Sequence, residues 1–585
     1  MSAIHDLDGF TLNAYRAIAR DCASVDPWAY DRLIEELDEL GAEGLHRLSV
    51  TYFPKLGKWF DKVLSGGQWY EPPTSEDVRF GDGQRIPLLD SLFDGFLSHF
   101  VGHSGDLDPN LVLMARQLLY FKKRFVEPFK PGANRKAAEE FWSIDQDLRT
   151  PRSVDSDLMC HPCGGAFADG LGFYSSPLLR KLVRNLDLVR DWLVPVTDFD
   201  PADLVPRHGP GAVSDLCPGG DKYSFPGWSV PLFEMFHPRE FAAPNWRYDP
   251  WVTMRRTKPS AWLLAVPKTY DKPRLIASEP VAHQFIQQGL MRWMRENMSP
   301  SAKAMIDFND QEPSRKAALA ASKSGLLATI DLSAASDRLS LWVVEAMFES
   351  RPIFLEALIR SRSNYIDDRI IWRYEEIRKF APMGSAVTFP VQSHVYAAVS
   401  IAAAHTWLNP RRKLTRGLIR HYAKNIRVFG DDLIVPRDSV PYISLLLQFL
   451  QLKVNPDKCH IDGYFRESCG MDAYKGYDVT PAYVSHEAGT QMGINTFALA
   501  EQSNNAHRKG FWHLAAFLAD EVETSMRIEL PSSREELSVC ALATFCNGTS
   551  AVRSRYSRDL HRYEVRAPAL KVKARVRKRN TPSDL

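Results

Sequence analysis

The chain has little cysteine for its size. Eight cysteines in 585 residues, at positions 22, 160, 163, 217, 459, 469, 540 and 546, are too few and too scattered for a disulfide framework, so a reducing cytoplasm is the expected compartment. No apolar run approaches the roughly 18 residues that span a membrane, and Met1 to Asp26 carries acids early, without the apolar segment of a signal peptide. No charge of one sign dominates. The 73 basic and 71 acidic residues leave a net charge of +2, so a polyanionic partner would need a local basic surface rather than a basic average. There is no internal repeat and no long low-complexity segment. There is also no Walker phosphate loop and no His-Glu-x-x-His helix, which removes the usual carriers of ATPase and zinc-protease chemistry. Cys160-His161-Pro162-Cys163 has the spacing of half a zinc site, but no second pair completes it, so no structural zinc is expected.

What remains is ordinary globular composition, 45% hydrophobic and 25% charged. The length corresponds to about four domain-sized units. Residues 1–255 mix aromatic-rich helical stretches with Pro/Gly loops such as Arg207-His208-Gly209-Pro210-Gly211. From 256 to 484 the pattern is more regular. Residues 485–570 read as mostly helical, with Phe511, Trp512, Leu514, Phe517 and Leu518 on one face. Residues 571–585 form a basic tail, either a solvated segment or an arm that touches RNA phosphates.

The chemistry concentrates in acids of the middle segment. Leu326 to Ile330 is a short apolar run with β-branched residues, a buried strand that ends at Asp331. Asp337 follows six positions later, and a helical pattern through Leu339, Val343 and Met347 comes after it. One hundred residues on, Ile426 to Phe429 and Leu433 to Val435 flank Gly430-Asp431-Asp432, which reads as a β-hairpin presenting two adjacent carboxylates. Such a pair carries desolvation and repulsion costs that a divalent cation offsets best. With Asp331 and Asp431 on neighbouring strands, two Mg²⁺ ions about 3.5–4 Å apart could serve phosphoryl transfer, Asp432 supporting them. Read alone, Asp-Asp in a hairpin is ordinary turn chemistry. The cations Lys268, Lys272 and Arg274 suit a triphosphate. Pro382 to Ala386 is a loop of small residues leading into a helix with Val391, Val395, Ala398 and Ala402 on one face. Ser439 is expected to cap a helix whose Ile443, Leu446, Leu447 and Leu450 form a core stripe.

These motifs, in their order and spacing, resemble those of viral RNA-dependent RNA polymerases, closest to the replicase subunit of the single-stranded RNA bacteriophages (leviviruses). Val266-Pro267-Lys268, Asp331 through Asp337, Met383-Gly384 through Thr388-Phe389, Gly430-Asp431-Asp432, Phe465-Arg466-Glu467-Ser468-Cys469-Gly470 and Asp478-Val479-Thr480-Pro481 carry the resemblance. It implies an α+β right-hand polymerase, with palm, fingers and thumb and an antiparallel-sheet palm. Asp331, Asp431 and Asp432 would be the catalytic and metal-binding acids, with Mg²⁺ as the cofactor (two ions) and Mn²⁺ as a substitute. Asp337 would recognise the ribose 2′-hydroxyl. Lys458 would be the general acid for pyrophosphate. Lys268, Lys272, Arg274, Gly384, Thr388, Gln392 and Ser393 would line the nucleotide. Phe429 stands where the family more often has Tyr, and Gln392 where it commonly has Asn. The implied partners are template and product RNA, NTPs, host elongation factors Tu and Ts and a small-subunit ribosomal protein, in the cytoplasm of a bacterial host. A reverse transcriptase would share the palm acids, but Asp337 favours ribonucleotides. A non-catalytic RNA-binding protein with a polymerase-like fold would tolerate loss of the acids, which are all present. A metal-dependent nuclease would have no use for the cationic segment at 268–274.

Overall fold

The computed structural model describes residues 3–4, 6–23, 27–66, 107–125, 131–151, 167–172, 175–195, 197–216, 220–242, 260–266, 273–486, 494–527, 529–534, 541–545 and 553–566. The Cys160/Cys163 pair, Lys268, Lys272 and the basic tail lie outside them. The chain divides into two compact units, one of residues 58–71 and 129–480, the other of 1–57, 72–128 and 481–585.

In the first unit a three-stranded antiparallel sheet runs in the order Leu327–Ile330, Asp432–Pro436, Arg427–Phe429. Its register sets Leu433 opposite Ile330 and Asp432 opposite Phe429. The central strand is buried at Leu433, Ile434 and Val435, as befits a strand covered on both faces. The Thr388–Leu408 helix packs against this sheet. The spacing of Val391, Val395, Ala398 and Ala402 predicts one buried face. The helix is in fact buried on almost every side from Thr388 to Thr406, because the Val440–Phe449 and Pro177–Leu193 helices also pack on it. A helix hydrophobic all round belongs inside a large core.

A second sheet, Arg274–Ser278, Ser260–Val266, Tyr365–Asp368, Arg373–Glu376, has one parallel pairing, between Ser260–Val266 and Tyr365–Asp368. A third, Phe465–Ser468, Met471–Tyr474, Tyr477–Asp478, is antiparallel and packs on the Glu312–Ser324 helix.

Four other local expectations are corrected. The helical pattern after Asp337 breaks into Ala335–Arg338 and Leu341–Phe348, because Leu339 is extended and Ser340 caps the second helix through Val343 N. Ser439 is not a side-chain cap. It sits in helical geometry at the end of a short 3₁₀ turn, and its hydroxyl donates to Pro436 O at 2.7 Å; the apolar stripe it precedes is buried as expected. In the second unit, Thr496–Arg508 and Trp512–Met526 are helices, but the described residues beyond them form strands, including the Arg553–Ser557/Arg562–Arg566 hairpin. Trp512 does not join Leu514 and Leu518 in the core; it is 59% exposed at the helix start.

Candidate active site

Strand register brings the distant acids together. Ile330 pairs with Leu433, so Asp331 leaves its strand beside Asp432, the first residue of the neighbouring one. Asp431 occupies the loop between Phe429 and Asp432, a two-residue hairpin connection with Gly430 first, at φ +62°. That conformation favours glycine. A Cβ at Gly430 would also stand 2.5 Å from the Phe389 ring and 3.1 Å from Gln392 Nε2. The loop is tied down from below. Gly430 N donates to Ser393 Oγ at 3.2 Å, and Ser393 Oγ donates to Phe389 O at 2.8 Å. Phe389 packs edge-on against Phe429, with centroids 5.1 Å apart.

Asp331 is held from the 453–459 segment. Asn455 Nδ2 donates to its Oδ2 at 2.8 Å, and Lys458 Nζ lies 3.6 Å from Oδ1. Asn455 N also bonds Asp331 O at 2.9 Å. Cys469 N donates to Asp432 Oδ2 at 3.0 Å. Burial pushes the Asp432 carboxyl up to about 7, with Asp431, Asp331 and Glu467 adding to the rise and the Cys469 amide opposing it. Burial likewise raises Asp331, against Lys458 and Asn455 and with Asp431 and Glu467. For Lys458 burial pulls the pKa down, but Glu467, Asp331, Asp432 and Asp431 together carry it above its ordinary value. The ammonium therefore keeps its proton.

Four carboxylates thus act on one another around a single lysine. Glu467 is the member that residue-by-residue reading passed over, although it lies inside the quoted Phe465–Gly470 string. Asn455, in the segment Asn455-Pro456-Asp457-Lys458, was passed over too. The donors are all carboxylate oxygens, the kind a hard divalent cation takes. Among the described residues, no group of three or more His, Cys, Asp or Glu forms a ready metal cage; Lys458 and Asn455 hold the Asp331 oxygens instead.

The other anticipated residues surround this cluster at different depths. Gly384, at φ +126°, lies against the Arg274–Ser278 strand, where a Cβ would stand 2.0 Å from Ala277 O. Ala277 N bonds Met383 O at 2.7 Å. Arg274 is exposed at the start of that strand. Thr388 Oγ1 donates to Ala381 O and Pro382 O, each at 3.2 Å, closing the loop from within. Gln392 is buried and accepts from Ser336 Oγ at 3.3 Å. Asp337 Oδ1 is 3.4 Å from Lys379 Nζ, a fully buried ammonium that also donates to Phe141 O at 3.1 Å. Lys379 was another omission. No signal for it was present in the sequence, since Glu375, Glu376 and Arg378 beside it read as a charged, solvated segment.

Residues 249–494 match the family model described as RNA replicase, beta-chain, so the resemblance carried by the motifs holds for this central segment. Among individual proteins, the chain is 35% identical over 225 residues to the RNA-directed RNA polymerase subunit beta of Qbeta virus (strain MX1), covering 38% of this chain and 35% of that protein. It is 33% identical over 224 residues to the RNA-directed RNA polymerase beta chain of Escherichia phage MS2 (38% and 37%) and 30% identical over 245 residues to that of Enterobacteria phage fr (40% and 41%). The similarity spans less than half the length of each of these relatives. A solved RNA-dependent RNA polymerase of BmCPV at elongation state aligns with 61% of this chain and 34% of its own at a TM-score of 0.38 and 11% identity, too slight a likeness to carry an argument.

Proposed function

We propose that this chain is an RNA-directed RNA polymerase that replicates a viral single-stranded RNA genome from NTPs. The observation that carries the reading is the strand register that sets Asp331 beside Asp432 and the Asp431 turn, with Glu467 and Lys458 against them. In this reading 256–484 is the palm with segments of the fingers, residues 1–255 are an N-terminal region with part of the fingers, and 485–570 is thumb-like. The test is incorporation of labelled NTPs on an RNA template by the purified chain, with and without bacterial extract to supply host elongation factors Tu and Ts and a small-subunit ribosomal protein. No template-dependent product under either condition would refute it.

Asp331, Asp431 and Asp432 are the residues that would hold divalent cations. Two Mg²⁺ ions, or Mn²⁺ in their place, would activate the attacking hydroxyl and neutralise the triphosphate. The chain's own part is positional and protonic. The Gly430 turn, fixed by Ser393 and Phe389, aims Asp431. Lys458 stores a proton at Nζ beside the acids and delivers it to the departing pyrophosphate as the 3′-hydroxyl attacks the α-phosphate. Arg274, with Lys268 and Lys272, binds the triphosphate. Thr388 and Gln392 shape the loop and helix under the nucleotide.

Lys379 holds Oδ1 of Asp337, and we assign Oδ2 to the ribose 2′-hydroxyl. A hydrogen bond to a charged group contributes about 1.5–3 kcal/mol, so Asp337→Ala is expected to narrow the preference for NTPs over dNTPs by roughly 10- to 100-fold. Competition between CTP and dCTP measures it. Sugar selectivity equal to wild type would remove this role, and a marked initial preference for dNTPs would favour a reverse transcriptase.

A pH effect follows from Asp432. Its carboxyl ionises near 7 in the fold and near 3.8 in the unfolded chain. Between those values the folded protein binds more protons, so metal-free stability should fall as pH rises from about 4 to about 7, then level off. Asp432→Asn should flatten that decline. Urea midpoints at pH 5 and pH 8, with chelator present, check it; an equal slope in the variant would show that Asp432 is not the source.

A further inference from the structure

The sequence holds no Asp or Glu between Glu376 and Asp431. The first part of this stretch is spent on the buried Thr388–Leu408 helix. Arg378 and Lys379 precede that helix, and a run of exposed cations follows it: Arg411, Arg412, Lys413, Arg416, Arg420 and Lys424. Their backbone is firmly placed. Arg412 N bonds Asn409 O at 3.1 Å, and His405 Nε2 lies 3.0 Å from Arg412 O. Lys181 Nζ donates to Pro410 O. Thr415 Oγ1 accepts from Leu418 N and caps the Arg416–Ala423 helix. That helix turns Ile419, Tyr422 and Ala423 inward. Arg416, Arg420 and Lys424, spaced by four, then line the adjoining outer face.

Below this ridge is a cleft of about 200 Å³, to which Arg416, Arg420, Arg351, Trp192, Ser299 and Ser301 contribute. One acid, Asp191, also lines it and lies 3.3 Å from Arg190 Nε, and Arg351 pairs with Asp198 at 3.2 Å. The Arg416 guanidinium stands 5.8 Å from the centre of the Trp192 ring. A row of like charges repels itself, and a polyanion laid along it sheds its own condensed counterions, which gains free energy. Arg416 to Lys424 covers about 12 Å of helix axis. A lone phosphate would meet only part of that length, whereas a nucleic-acid strand offers a charge about every 3.4 Å along its axis. Trp192 beside the guanidinium adds the aromatic surface on which bases stack.

We propose that the Arg411–Lys424 ridge and the cleft beneath it bind the phosphate backbone of single-stranded RNA at a place separate from nucleotide addition. The ridge leads into the start of the Arg427–Phe429 strand, and the acids follow its other end. The inference rests on the polymerase reading for its choice of RNA among polyanions. Its effect is to keep template or product strand on the enzyme between additions, without sequence preference.

The test uses the full chain and two surface triples, R411Q/R412Q/K413Q and R416Q/R420Q/K424Q, with R135Q/K136Q as a control at two exposed cations elsewhere. Affinity for an unstructured single-stranded RNA is measured across a KCl series. Each phosphate contact contributes about 0.7 to the slope of log K against log salt, so each triple should lower it by about 2 and weaken binding several-fold at low salt. The control should leave the slope unchanged. Single-nucleotide incorporation on a saturating short template should match wild type in all three. A wild-type slope in both triples, or an equal drop in the control, overturns the proposal. If wild type itself incorporates no NTP, the polymerase reading fails on that result, while the slopes still report on the ridge.

Discussion

Asp431→Asn should abolish nucleotide incorporation, lowering it by about 10³-fold or more, while affinity for single-stranded RNA stays within about twofold of wild type. The substitution keeps the size and one acceptor of the side chain and removes its charge. Metal-assisted charge stabilisation is worth several kcal/mol, and each 1.36 kcal/mol is a factor of ten in rate. The fold should survive, because Asp431 is exposed in the turn and the loop is anchored by Gly430, Ser393 and Phe389. Asp431 raises the carboxyls of both Asp331 and Asp432, so its loss should stabilise the metal-free protein above pH 7. Asp438→Asn, exposed just beyond the other end of the same strand, is the matched control. Incorporation by Asp431→Asn within tenfold of wild type would sink the catalytic assignment; loss of RNA binding along with activity would point to a folding defect instead.

The site was legible in the sequence wherever chemistry is local. A run such as Leu326 to Ile330, ending in an acid, and two apolar segments around Gly-Asp-Asp each declare a strand or hairpin from neighbouring residues alone. What a single stretch cannot give is the pairing partner. That Asp331 sits beside Asp432 follows from a register between residues a hundred positions apart, and the motif resemblance supplied it before the backbone did. Ser393, Thr388 and Gln392 were marked by their positions relative to Gly384. Whether a polar side chain on that helix faces a ligand or a neighbouring loop depends on what covers the helix, and here all three are buried against protein. Ser439 shows the opposite error. A serine before an apolar run satisfied the capping pattern, but the 3₁₀ turn ahead of it had already claimed the hydroxyl. Asn455 and Lys379 reach acids 124 and 42 positions away, which no local spacing could expose, and Glu467 gains its meaning only when its strand is folded against the Asp431–Asp432 turn and Lys458.

Arg466 carries the other large effect, and it concerns stability. The side chain is fully buried. Its guanidinium donates to four carbonyls: Nε to Leu327 O at 2.7 Å, Nη1 to Asp462 O at 2.9 Å and Phe465 O at 2.7 Å, and Nη2 to Ile461 O at 3.1 Å. Burial brings its pKa down to about 10, helped by Arg437 and opposed by Asp462, so it stays charged at neutral pH. Leu327 begins the strand that delivers Asp331, and Glu467 follows Arg466 in the chain; one planar cation therefore fixes two of the four acids relative to each other. Arg466→Met would leave those carbonyls without their donor. At about 1–3 kcal/mol for each buried group left unsatisfied, the loss should reach at least about 3 kcal/mol, read as a lower urea midpoint with an unchanged slope. Arg466→Lys should not restore it, since an ammonium presents its donors from one point and cannot span a fork of four acceptors. A lysine variant with the wild-type midpoint would show that charge alone, rather than the planar fork, holds the Asp331 strand to the turn before Glu467.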